Sequence, residues 1–385
     1  MFSFRTTALL EQPDGVLKGG KIALLCDQTA FHPDRGEYLY ETLAKRGVLK
    51  RLFWLGEPIP NLNFDFEIIY LSYYKEIDWS LMLSQLLDIE ALVIELQESG
   101  VRYDGAGKLL YSLFQSFKEN SIDLPLYLVD RLNPSGRQIE GSAAKGEEGS
   151  LHQMEGVLHK HGLTAGELAH YFYNELGGKF NLHIISSEAE AVNKQLLPWS
   201  IPPHNNFSGL FTPSFYSGQA LWRESNISCG VGTTRPYELF GAPFLKELLE
   251  QRGKESAFEG FNQPNHPLHH SSIIVRPLSF TPLYNIYKDE LCWGFQLHLL
   301  PGLLYHALAH NLRIIKFIKG SIEHFGYTTE LHHLLGDPLL SEWIEGEVEF
   351  EELREHIKIE EQKWIRKVRK ILLYKAPPFR CKTIL

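Results

Sequence analysis

The sequence predicts an α/β protein, a doubly wound and mostly parallel sheet followed by a second, smaller α+β domain. Three observations carry this reading. Five short apolar runs in the first half alternate with helix-period segments, which is the rhythm of βαβ units. Four of the five runs are followed by polar residues, as expected where parallel strand ends share a rim. After Gly241-Ala242-Pro243 the pattern changes to longer helical segments around extended runs.

The strand runs are residues 21–26, 51–54, 67–71, 91–96 and 124–129. Between them, residues 36–46, 79–87 and 106–119 repeat apolar side chains at three and four positions and read as crossover helices. Residues 134–150 are rich in Gly, Ser and charge, the composition of an exposed loop. Thr164 followed by Glu167 has the spacing of a capping box, so a helix opens there. Residues 197–226 have no convincing period and are expected to form a long irregular loop of the functional kind. Within it Trp199, His204, Asn205, Phe215, Trp222 and Arg223 suit sugar recognition, or simple packing. Further on, helices are expected over 244–252 and 303–318, extended runs over 272–277 and 291–299, and a last helix with one charged face over 350–374. The expected division is 1–228 and 229–385, with a cleft between the two domains.

Composition narrows the function. At 385 residues the chain is long enough for two cores. Its 44% hydrophobic and 22% charged residues are those of a folded globular protein. A net charge of −9 argues against nucleic acid as a partner, because phosphate-backbone binding needs a basic face. No run approaches the ~18 apolar residues of a membrane span, and residues 1–15 lack the features of a signal peptide. A cytoplasmic setting is expected, or a periplasmic one if the start is processed. Cys26, Cys229, Cys292 and Cys381 have no paired spacing, so reduced thiols are expected. The histidines at 266, 269, 270, 332 and 333 match no zinc spacing, and no metal is expected. Gly230-Val231-Gly232 lacks the third glycine of a dinucleotide fingerprint, so no cofactor is expected.

The densest polar cluster follows the fourth strand run, where Glu95, Gln97, Glu98, Arg102 and Tyr103 crowd together. Asp27 and Gln28 follow the first run, Glu57 the second, and Asp130 and Arg131 the fifth. Such groups converge on one edge of a parallel sheet although they are far apart in the chain.

Several of these segments, in this order, resemble the NamZ-type exo-β-N-acetylmuramidase family. The resemblance rests on Leu25-Cys26-Asp27-Gln28-Thr29, on residues 95–103, on Leu128-Val129-Asp130-Arg131-Leu132-Asn133-Pro134 and on His161-Gly162-Leu163-Thr164-Ala165-Gly166-Glu167-Leu168. It continues through Glu224-Ser225-Asn226 and Gly232-Thr233-Thr234-Arg235-Pro236-Tyr237-Glu238. Two family motifs are altered: G-P-E-H-G stands as Leu55-Gly56-Glu57-Pro58, and S-E-G-R-G as Ser228-Cys229-Gly230-Val231-Gly232, without its carboxylate and guanidinium.

The resemblance implies a Rossmann-like first domain and removal of terminal N-acetylmuramic acid from peptidoglycan fragments, a cell-wall recycling step. Its alternative is a catalytically impaired, muropeptide-binding relative. Glycoside hydrolysis usually needs two carboxyl groups, and Glu57, Glu95 and Glu98 are the catalytic candidates, with Glu57 as general acid. A small muropeptide or amino sugar would be held by Asp27, Gln28, Gln97, Arg102, Tyr103, Asp130, Arg131, His161, Asn205, Glu224, Asn226, Thr233, Thr234 and Arg235. Arg102 is expected to take the lactyl carboxylate that distinguishes muramic acid, with Arg131, Arg223 and Arg235 as competitors.

Overall fold

A computed structural model describes residues 20–374 and 379, apart from 34, 60–64, 74, 76, 146–153, 187–200, 204 and 251–259. Trp199 and His204 therefore lie outside the described residues. The expected runs become parallel strands: β1 (Ile22–Asp27), β2 (Leu49–Leu55), β3 (Glu67–Leu71), β4 (Ala91–Glu95) and β5 (Leu126–Val129). The antiparallel pair β6 (Glu140–Ala143) and β7 (Leu158–Lys160) follows, and then β8 (Leu182–Ile185), a strand the sequence reading missed. The six-stranded sheet has the order β8-β5-β4-β1-β2-β3 and is parallel throughout.

That order follows from where each face is buried. Along β1, Ala23 and Leu25 enter one core while Ile22, Leu24 and Cys26 enter another, the alternation a pleated strand imposes. The first face is covered by α2 (Trp79–Ser84), α3 (Gly105–Glu119) and α4 (Ala165–Glu175), the second by α1 (Leu39–Lys45). Helix α1 is shorter than the expected 36–46, because Glu37–Tyr38 pairs with Phe31–His32 as a small hairpin. Two helical layers enclosing the sheet make its inner strands β1, β2, β4 and β5 apolar on both sides, which is why those runs were legible.

The second core lies around an antiparallel sheet of β9 (Leu239–Ala242), β10 (Ile273–Phe280) and β11 (Cys292–Leu299) in the order β9-β11-β10. Helices α5 (Thr212–Gln219), α6 (Lys246–Glu250), α7 (Ala307–Ser321), α8 (Glu330–Leu335), α9 (Pro338–Glu345) and α10 (Phe350–Val368) belong to this half of the chain. Residues 197–226 are not the structureless run expected, since α5 and a 3₁₀ turn (Ala220–Glu224) occupy their described end. Aromatic packing overrides the weak period: Phe207, Phe215, Tyr216 and Trp222 are buried in the second core. These aromatics, which precede the expected boundary at 228, pack with the second core, as do Val101 and Tyr103. Helix α10 then returns to the first core, where Trp364 and Val368 are buried.

Candidate active site at the strand ends

The strand order reverses between β1 and β4, so the crevice beyond their carboxyl ends is where a sheet of this kind binds ligands. Cys26 of β1 is in register with Glu95 of β4, which aligns the polar residues that follow each strand. Asp27 caps the short 3₁₀ turn of residues 28–30, accepting from the Thr29 amide at 2.8 Å and from the Tyr73 hydroxyl at 2.8 Å. Gln28 donates to Asn205 at 3.0 Å and so ties the first strand end to the segment entering the second core.

Glu95 is completely buried. Its carboxylate pairs with Arg131 at 2.5 Å and with His32 at 3.2 Å, and Arg131 also donates to the Thr29 carbonyl at 2.7 Å. Burial alone would raise its pKa, but the Arg131 guanidinium and the hydrogen-bonded His32 together outweigh burial and hold the carboxyl below the usual range. Glu98 goes the other way. Burial pushes its carboxyl up and outweighs His161, whose Nε2 lies 3.0 Å from Oε2. The Gly100 amide donates to the same oxygen at 2.5 Å, while Oε1 is buried with no hydrogen-bond partner. Beneath Glu98 is an apolar void of about 10 Å³, bordered by Ile94, Leu96, Ala106 and Leu110, with barely room for one water.

Other expected residues hold the rim together. Gln97 donates to the carbonyls of Glu98 and Leu132 at 2.9 and 2.8 Å, joining the β4 and β5 ends. Asp130 accepts from the Gly166 amide at 2.6 Å, from Thr164 at 3.0 Å and from the Tyr374 hydroxyl, and burial raises it to about 6. A side chain at position 166 would collide with Asp130, so the glycine there permits the approach. Glu167 completes the capping box with Thr164 and also pairs with both Arg137 terminal nitrogens, one at 2.9 Å. Tyr103 is buried and donates to the Ser217 carbonyl of α5.

Arg102 must be corrected. Its side chain is completely buried and donates to the carbonyls of Ser142 at 2.9 Å, Val157 at 3.3 Å, Leu334 at 3.1 Å and Leu335. It staples the β4 loop to the β6–β7 pair and to the carboxyl end of α8, beyond reach of a ligand. Glu57 is at the rim, but its carboxyl is exposed rather than enclosed as an acid catalyst would be. Glu224 and Asn226 bond to residues 324–328 instead of the strand ends, through Thr328 at 3.2 Å, the His324 carbonyl at 2.6 Å and the Gly326 amide at 2.9 Å. Thr233 closes a turn onto the Gly230 carbonyl at 2.6 Å, Thr234 is exposed, and Arg235 pairs with Glu238 at 3.2 Å.

Nothing local to His32 or Tyr73 marks them in the sequence, and they reach the site from a hairpin and a loop. A buried network between the cores was equally silent: Lys160 pairs with Glu140 at 2.6 Å, and Glu140 accepts from Ser217 at 2.7 Å and the Leu308 amide at 3.0 Å. Among the described residues no group of His, Cys, Asp and Glu could hold a metal, and no helix is long and apolar enough to cross a membrane.

These features define a two-core α/β protein with a carboxylate-rich rim at its topological switch point. Two family models match the chain, the N-terminal domain of exo-β-N-acetylmuramidase NamZ over residues 63–207 and its C-terminal domain over 214–374. Together they span most of its length, and the chain belongs to the NamZ family. It is similar to the peptidoglycan β-N-acetylmuramidase NamZ of Bacillus subtilis (strain 168), 29% identical over 237 residues, a match covering 60% of this chain and 54% of that relative. Crystal structures of two DUF1343-family proteins from Bacteroides fragilis NCTC 9343 share the fold. One has a TM-score of 0.76 at 22% identity and the other 0.72 at 18%, each covering 96% of this chain and 98% of its own.

Proposed function

We propose that this protein is a glycoside hydrolase that removes terminal N-acetylmuramic acid from peptidoglycan fragments, at the rim formed by the ends of β1, β2, β4 and β5. The observation that carries the reading is the opposite displacement of two carboxyl groups three residues apart: Glu98 is pushed up by burial, and Glu95 is held down by Arg131 and His32. Environments that drive neighbouring acids apart are how one site keeps a proton donor beside a fixed charge. Family membership and the Bacillus relative supply the substrate class.

In this mechanism Glu98, just past the end of β4, is the general acid, and its carboxyl gives the proton to the leaving glycosidic oxygen. His161 and the Gly100 amide orient the carboxyl through Oε2. Glu95 is sealed by its ion pairs and serves as a fixed negative charge, not a nucleophile. Glu57 is the carboxylate open to solvent, which suits activation of the attacking water and reverses the role expected of it from the sequence. A small muropeptide is the partner. A reducing, cytoplasmic setting belongs to the same reading, supported by the free, buried thiols of Cys26, Cys229 and Cys292. Incubation with a muramic-acid-terminated disaccharide tests it: free N-acetylmuramic acid supports hydrolysis, and tight binding without release favours the non-catalytic relative.

A further inference from the structure

With Arg102 committed to the scaffold, carboxylate recognition needs another guanidinium. Three other arginines are already engaged: Arg131 with Glu95, Arg137 with Glu167, and Arg235 with Glu238. Arg223 is different. It is exposed, its Nε makes a 3.3 Å bond to the carbonyl of Ala220 in its own turn, and among the described residues no carboxylate pairs with it. Its guanidinium lies 6.0 Å from the centre of the Tyr216 ring.

The surroundings of Arg223 connect it to the switch point. Asn205 is bonded to Gln28 at the β1 end, and two residues on, Phe207 packs on Tyr216 with ring centres 4.7 Å apart. Tyr103, five residues after Glu98, lies 6.2 Å from the same Tyr216 ring. Tyr237 completes the aromatic wall at 4.8 Å from Tyr216. The Cys229 thiol is also within electrostatic reach of the guanidinium. Cys229 is where the S-E-G-R-G motif has lost its carboxylate, so the guanidinium stands near that vacated position and, among the described residues, no carboxylate pairs with it.

We propose that Arg223 is the specificity residue of this site, binding the lactyl carboxylate of muramic acid through its two terminal nitrogens while the tyrosines hold the guanidinium in plane. The proposal rests on the hydrolase reading above and names the substrate feature that site selects. A planar guanidinium binds a carboxylate through two parallel charge-assisted hydrogen bonds, which a lysine cannot reproduce.

The test compares nitrophenyl β-N-acetylmuraminide with its lactyl methyl ester, in which the charge is removed and the sugar kept. In Arg223→Ala the ratio of kcat/KM for the acid to that for the ester should fall roughly 10–100-fold, the loss residing in KM, with Arg223→Lys recovering part of it. A ratio within about twofold of the wild type overturns the proposal, as does an equal fall for acid and ester. If the wild type turns over neither compound, the hydrolase reading fails and calorimetry decides the residue separately. Preference for N-acetylmuramic acid over N-acetylglucosamine that disappears in Arg223→Ala sustains the role, and a wild type without that preference overturns it.

Discussion

In the proposed mechanism the chemistry turns on Glu98, whose proton is held because burial outweighs His161. An acid catalyst works protonated, so the rate should fall as pH rises through the Glu98 pKa, which lies above the ~4.3 of a free glutamic acid. His161 lowers that value, so His161→Gln should carry the alkaline limb of the kcat/KM profile to higher pH; a limb that stays in place would separate His161 from the acid. The residue types at this site were legible because they sit directly after strands. Their assignments were not: whether a carboxyl is sealed, paired or open depends on partners such as His32 and Arg131, which reach Glu95 from distant parts of the chain.

At the scale of elements, α4 is fixed by a capping box and a buried ion pair that share Glu167. Thr164→Ala removes one cap and should cost about 1 kcal/mol. Glu167→Ala strands the buried Arg137 guanidinium as well, and should cost roughly 3–5 kcal/mol. Urea denaturation would rank them, and equal losses would show that the ion pair adds nothing beyond the cap. The capping box and the strands of the parallel sheet were readable because their signals are local in sequence. Strand β8 was missed because it lies at the sheet edge, with only a short and partly exposed apolar run. The 212–224 helical segment was hidden by a proline, a glycine and aromatics whose placement is decided by packing against α7 and β9.

On the scale of the whole molecule, the two cores are joined by buried polar contacts, and Arg102 is the clearest of them. It satisfies carbonyls from the β6–β7 pair and from the end of α8, so Arg102→Lys should lower stability by at least about 3 kcal/mol without changing the acid-to-ester ratio of the folded protein. A thermally unchanged variant with weakened muramic-acid binding would return the carboxylate to Arg102. In the proposed mechanism one buried acid at the switch point, Glu98, performs glycoside hydrolysis. This is tested most directly by nitrophenol release from nitrophenyl β-N-acetylmuraminide by the wild type and by Glu98→Gln. The mechanism predicts release by the wild type and a kcat reduced ~10²–10⁴-fold in the variant, with its fold intact by circular dichroism. No release by the wild type, or an unchanged kcat in Glu98→Gln, would contradict it.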